Sequence, residues 1–334
     1  MSHQPPVEAN ASLGDVVLHR EASLRAQLVA LLESGQNADG GWSFHAGGES
    51  RVEPTCWAIH GLHTSGEVEK QISRAVDFLK SKQLSDGSWP ATGGMEYGCW
   101  VTSLACSALA YSSENEKTIT AGLEWLCDDY PRDSSRWQKF LKNFQSDKNV
   151  VAHSDEFRGW GWTPRTASWV EPTSFALIAF AAAQAAQTGS RNVKAITDRR
   201  ILAIGLLYDR MCPGGGWNCG NPRVYGVDGE ALVLPTCWAL LALHDTPDHP
   251  NRRSSLAWLQ TTFGRIQGAA SLAVARMTLE SFGLTVPLGS HSLVDWSAKA
   301  LAEQGTHVVS WAALALDPER RWPKRVRVAS EGER

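Results

Sequence analysis

The seven residues Val52-Glu-Pro-Thr-Cys-Trp-Ala58 return almost unchanged as Val170-Glu-Pro-Thr-Ser-Phe-Ala176, 118 positions further on. Repetition of this kind constrains a fold strongly, because each copy must be a structural unit that buries its apolar face against its neighbours. The unit extends upstream. Gln36-Asn-Ala-Asp-Gly-Gly-Trp42 and Gln83-Leu-Ser-Asp-Gly-Ser-Trp89 lie 47 residues apart, and weaker copies occur as RGWGW at 158–162 and CPGGGWNCG at 212–220. An apolar run follows each: PTCWAIHGL from Pro54, VTSLACSAL from Val101, PTSFALIAF from Pro172 and PTCWALLAL from Pro235. A fifth run, VSWAALAL from Val309, has no such prelude, and AASLAVARMTLESFG at 269–283 supplies a sixth.

Between these runs lie more polar stretches with helical periodicity, near 20–34, 68–82, 115–128, 194–210, 252–263 and 291–303. An all-apolar helix is buried on most sides and an amphipathic one keeps a wet face. Six of each predict an all-α fold, an inner ring of six helices wrapped by six outer ones. Proline suits the first turn of a helix, where its missing N–H costs nothing. Val-Glu-Pro-Thr therefore marks the start of an inner helix. The Asp-Gly preludes read as turns, with Trp folded back onto helix surfaces and Gln available to cap backbone groups.

Other features bound the function. The chain has 334 residues and a net charge of −3, with no basic half, so nucleic acid is not an expected partner. The seven cysteines are mostly inside apolar patterns and form no Cys-x-x-Cys pair, which fits reduced, buried thiols. No signal-like N-terminus and no apolar run of membrane-spanning length is present. The expectation is a cytoplasmic protein with a flexible segment at 1–19, one domain at 20–317 and a basic, disordered tail at 318–334. ERRWPKRVRV in that tail is a solvated segment by default and a possible peripheral membrane contact.

The Gln-x-x-Asp-Gly-Ser/Gly-Trp turns and the Thr-x-Trp-Ala-Leu helices resemble the repeats of the squalene-hopene and oxidosqualene cyclases, and more distantly the protein prenyltransferase β subunits. The resemblance implies an (α/α)6 toroid with a central cavity; the chain is about half the length of a squalene-hopene cyclase. It also implies a proton donor at an inner-helix start. The cyclase motif Asp-x-Asp-Asp-Thr falls on Arg51-Val-Glu53-Pro-Thr55 and Trp169-Val-Glu171-Pro-Thr173, with Glu for the middle acid and the flanking acids gone. The prenyltransferase zinc pattern, Asp-x-Cys with a distant His, is not matched: the loop before Pro235 carries Asp228 and Glu230 without that Cys, so no metal or other cofactor is expected.

Glu53, Glu171 and His307 share one column of the repeat, two residues before the Thr55, Thr173 and Val309 positions, with Trp100 and Leu234 in the other copies. They are the candidate acid–base groups. A glutamate ahead of an inner-helix proline has a purely structural use too, since it complements the helix dipole. Glu171 is the predicted donor, because Trp169 and Phe175 wall it while Arg51 is expected to keep Glu53 ionised. Trp57, Trp100, Trp169, Phe175, Trp238 and Trp311, with Asp228, are candidate substrate-binding residues; aromatic faces stabilise a cation by roughly 0.5–2 kcal/mol each when desolvated. Asp128, Asp129 and Asp133 read as a solvated helix end, and His153, Asp155 and Glu156 are undetermined. The resulting expectation is a terpenoid-cyclase-like enzyme acting on an apolar polyprenyl-type substrate in a Trp-lined cavity. The alternatives are a non-catalytic toroid that binds a small molecule, peptide or protein, and a zinc-dependent prenyltransferase. Oligomeric state is open.

Overall fold

A computed structural model describes residues 13–63, 68–129, 154, 156–186, 193–286, 292–320 and 322–323. Twelve α-helices occur among them: α1 (Leu13–Ser34), α2 (Val52–Leu62), α3 (Glu69–Lys82), α4 (Val101–Leu109), α5 (Glu116–Asp128), α6 (Val170–Ala185), α7 (Val193–Asp209), α8 (Val233–Ala242), α9 (Pro250–Phe263), α10 (Ala269–Ser281), α11 (Ala298–Glu303) and α12 (Thr306–Ala315). The even-numbered helices pack in sequence, α2 on α4, α6, α8, α10 and α12, and α12 returns to α2. That closure makes the inner ring. Each odd-numbered helix packs outside it, so the chain is an all-α toroid of six inner and six outer helices.

The repeat works through one threonine per copy. The backbone N–H of Trp42, Trp89, Trp160 and Trp217 donates to Oγ1 of Thr55, Thr102, Thr173 and Thr236, at 2.9 to 3.0 Å. Each indole N–H then reaches a carbonyl at the end of the preceding outer helix, that of Leu32, Leu79, Leu126 or Leu207. One tryptophan thereby ties an outer helix to the start of an inner one and leaves none of its own donors unpaired, which matters because all four are fully buried. In the two strongest copies Gln36 and Gln83 donate to the prelude carbonyls of Gly40 and Gly87 and also to Gln71 and Thr118, in the first turns of α3 and α5. Gly40 and Gly87 have φ near +90°, and a Cβ on either would lie 2.5 Å from a carbonyl oxygen of the next outer helix. Only glycine fits there.

The sixth unit closes the ring differently. α12 has no Trp prelude; instead Thr306 donates its N–H to the Phe44 carbonyl (2.8 Å) and its hydroxyl to the Ser43 carbonyl (2.6 Å), seating the last inner helix on the first prelude. Two boundaries differ from expectation. α1 starts at Leu13 rather than near residue 20, with Asp15 in its first turn to complement the helix dipole. The stretch expected as one outer helix at 291–303 divides into a 3-10 turn at Leu293–Asp295 and the short α11, because Ser292 and Ser297 each cap a separate start.

Candidate active site at the toroid axis

The inner helices all begin at one end of the ring, and the repeat column Glu53, Trp100, Glu171, Leu234 and His307 forms a partly buried rim there. Burial pushes the Glu53 carboxyl from its ordinary 4.5 up to about 7, against a smaller opposing effect of the Trp57 indole. That indole lies near enough to favour the carboxylate but makes no hydrogen bond of normal geometry with it, and its N–H is buried without a partner. Burial also raises Glu171. At His307, burial pulls the imidazole down, and His45 adds to the effect; its Nδ1 is buried without a partner.

The expectation that Arg51 keeps Glu53 ionised is corrected here. The Arg51 guanidinium pairs with Glu49 at 3.0 Å. Among the described residues no cation contributes to the shift of the Glu53 carboxyl, and desolvation dominates. Trp169, the expected wall of Glu171, is 38% exposed.

One helical turn below the rim, four rings meet across the axis. Trp57 lies 5.6 Å from Trp238, 5.4 Å from Trp311 and 6.0 Å from Phe175 between ring centroids; Phe175–Trp238 and Trp238–Trp311 are 5.2 and 5.5 Å apart. His307 joins through Trp311 at 5.0 Å, and Trp100 through Phe175 at 5.5 Å. The structure therefore brings together Glu53, His307, Trp57, Trp100, Phe175, Trp238 and Trp311, with Glu171 on the same rim. Trp169 sits outside this cluster, against Gly220. Asp228 stands apart as well, on an exposed hairpin of β1 (Arg223–Val224) and β2 (Val227–Asp228), where it faces Arg223 at 3.4 Å. Asp129 accepts from the Arg165 N–H at the end of α5; Asp133, His153 and Asp155 lie outside the described residues. Among the described residues, no three His, Cys, Asp or Glu side chains gather as a metal site would need.

Deeper still, two groups appear that sequence reasoning passed over. Trp322, from the segment expected to be a tail, is buried against Trp57 (5.7 Å), Trp238 (6.0 Å) and His60 (5.5 Å). That part of the segment does not stand apart from the toroid. A single Trp amid basic residues was the available signal. His60 is fully buried, bonded through Nδ1 to the Tyr111 hydroxyl (2.9 Å) and through Nε2 to Ser107 Oγ (3.1 Å). Ser107 uses its own proton on the Leu104 carbonyl, so Nε2 must carry the imidazole proton and Nδ1 accepts from Tyr111. Burial lowers His60 to about 3, which keeps this network neutral.

No family model and no curated protein matches this chain. Solved structures do. A type II terpene cyclase, MstE from Scytonema, bound to geranylgeranyl dihydroxybenzoate as substrate, is 13% identical and superposes over 89% of this chain and 78% of that one with a TM-score of 0.53. This chain has the α/α-toroid fold of the type II terpene cyclases. The same fold occurs in a glycosidase that is 12% identical, with a TM-score of 0.58 over 93% of this chain and 99% of that one. A protein from Actinoplanes is 19% identical over 85% and 79%, with a TM-score of 0.53. At these identities the likeness concerns the fold, and the chemistry rests on the site.

Proposed function

We propose that this toroid is a terpenoid-cyclase-like enzyme that binds an apolar polyprenyl-type molecule at the Glu53 rim, over its aromatic layer, and starts the reaction with a proton from Glu53. One observation carries the reading: an uncharged carboxylic acid, held protonated to about pH 7 by burial, sits one turn above a layer of four aromatic rings. Proton transfer from the Glu53 carboxyl to an alkene carbon leaves a carboxylate and a carbocation. The faces of Trp57, Phe175, Trp238 and Trp311 stabilise such a cation, at roughly 0.5–2 kcal/mol each. Ring closure moves the charge along the chain, and loss of a proton from a neighbouring carbon ends the sequence with no net change in composition, an isomerisation. The returned proton restores the acid. In this mechanism Glu171 and His307, in the same repeat column, exchange it.

The likeness to glycosidases supplies the competing chemistry, for two rim carboxyls also suit acid–base hydrolysis. The layer beneath them argues against it. A sugar carries hydroxyls around its ring and needs matching donors and acceptors, whereas four aromatic rings offer almost only apolar surface.

The test is incubation of the purified protein with a panel of polyprenyl hydrocarbons, alcohols and aryl ethers, with mass spectrometry for products of unchanged mass and altered retention. Glu53→Gln keeps the shape but has no proton to give; it should lower turnover by about a hundredfold or more, and Glu171→Gln by less. Tight binding of these compounds without any product would favour the non-catalytic toroid instead.

A further inference from the structure

Val52–Ala58 and Val170–Ala176 differ at two positions, and one of these lies a single turn below the rim acid: Trp57 under Glu53, Phe175 under Glu171. Either ring fills its share of the aromatic layer. Only the indole carries a hydrogen-bond donor. In a helix a long side chain leans back over the turn before its own Cα, so Trp57 lies over the turn of α2 that holds Glu53.

The Trp57 indole is 1% exposed, and its N–H has no partner among the described residues. The prelude tryptophans behave otherwise: Trp42, Trp89, Trp160 and Trp217 each give the indole N–H to a carbonyl. A buried donor left unpaired is costly. Nor is the Trp57 ring free to turn toward another acceptor, since His60, Phe175, Trp238 and Trp311 hold it at centroid distances of 5.4 to 6.0 Å. Trp311, a second indole whose N–H lacks a partner among the described residues, also stands one turn below a titratable rim residue, His307. The unpaired donors follow the acid–base positions of the rim.

We propose that Trp57 is the positioning residue of Glu53: its N–H is held ready for the carboxylate that Glu53 becomes on giving its proton to substrate. This rests on the reading under Proposed function, in which Glu53 is the donor. As the Glu53 O–H bond breaks and the proton passes to the alkene carbon, the carboxylate accepts from the indole N–H, which stays intact; when the proton returns, that hydrogen bond weakens again. A bond to a carboxylate is roughly twice as strong as one to a neutral acid, so Trp57 favours the transferred state over the resting one. Glu171 has only a phenyl ring beneath it and gains no such help, which makes Glu53 the working member of two nearly identical repeats. Other groups do not substitute for the indole. Among the described residues no charge on α1, α3, α4 or α12, the helices packed on α2, enters the shift of Glu53. Cys56 and Cys99 feel its charge, but burial keeps both thiols above their ordinary value and draws His307 down, so all three are uncharged near pH 7, where Glu53 titrates. Arg51 is engaged by Glu49.

NMR of the full chain, labelled with nitrogen-15 tryptophan and carbon-13 glutamate, tests this without substrate. The Trp57 indole resonance is assigned by its loss in Trp57→Phe, and the Glu53 carboxyl by its loss in Glu53→Gln. On titration from about pH 5 to about pH 9 the Trp57 indole proton should move downfield with the Glu53 midpoint and stay still in Glu53→Gln. Removal of the donor should raise that midpoint by about one pH unit. Two replacements remove it: Trp57→Phe, and benzothienylalanine at position 57, which keeps the indole's shape with sulfur in place of the N–H. The sign discriminates, because a packing defect would admit water and lower the midpoint. With any polyprenyl compound that the wild type turns over, kcat should fall by up to about tenfold in the benzothienylalanine protein with KM unchanged. An indole proton indifferent to Glu53, or a midpoint unchanged or lowered in the benzothienylalanine protein, would overturn the positioning role and leave the proposed function standing. An indole that follows Glu53 in a protein that turns over nothing from the panel would overturn the proposed function and the catalytic use of the pair with it.

Discussion

Arg51 directs its guanidinium to Glu49, 3.0 Å away, and leaves Glu53 two residues later to be governed chiefly by burial. The consequence is a pH dependence of known sign. Folding raises the Glu53 pKa from 4.5 to about 7, so between these values the folded protein holds a proton that the unfolded chain has lost. This group's favourable contribution is complete below about pH 4.5 and disappears as pH rises through 7. Glu53→Gln should therefore gain stability relative to wild type on going from pH 5 to pH 8, by on the order of 3 kcal/mol. Urea titrations of both proteins at the two pH values measure it, and an unchanged difference would mean that Glu53 is ionised in the folded state.

His60 titrates in the opposite sense. Its folded pKa lies near 3, well below the ordinary 6.5, so the unfolded chain takes up a proton that the folded one refuses as pH falls. Stability from this group is present above about 6.5 and declines toward pH 3. Nitrogen NMR at pH 5 should find the His60 ring neutral with the proton on Nε2, as its bonds to Ser107 and Tyr111 require. A protonated ring at pH 5 would contradict the network.

The threonine column makes a separate prediction. Thr102→Val keeps the shape but removes the acceptor for the Trp89 N–H, leaving a buried donor unpaired. The expected cost is about 1–3 kcal/mol in chemical denaturation, with most of it recovered by Thr102→Ser. Equal losses from both variants would assign the threonine a packing role only.

Arg199 replaces what glutamine does in the stronger repeats. Its guanidinium lies 4.1 Å over the Trp160 ring and donates to the carbonyls of Asp129 and Gly159 at 3.0 and 3.1 Å. Both bonds come from Nη2, and lysine has no flat guanidinium to lie over the indole while it donates. Arg199→Lys should cost about 2–4 kcal/mol, read as a lower urea midpoint with unchanged slope.

The repeat makes the architecture legible in the sequence. Helical periodicity, apolar on six segments and amphipathic on the segments between, is a local property, and it placed the inner starts at Pro54, Pro172 and Pro235 because proline and the turn glycines act through their own backbones. The column of Glu53, Glu171 and His307 was legible for the same reason: equivalent positions in a closed ring face equivalent places. What residues far apart in the chain do to one another was not. Arg51 had two carboxylates within reach of its side chain, and only the folded loop decided for Glu49. Trp322 read as part of a charged tail, because no local pattern announces that a strand will cross the end of a ring and set one indole against Trp57, 265 positions earlier. Helix starts follow from short-range sterics and hydrogen bonding, whereas charge state and the filling of the axis depend on which surfaces exclude water, and that is settled only when the ring has closed.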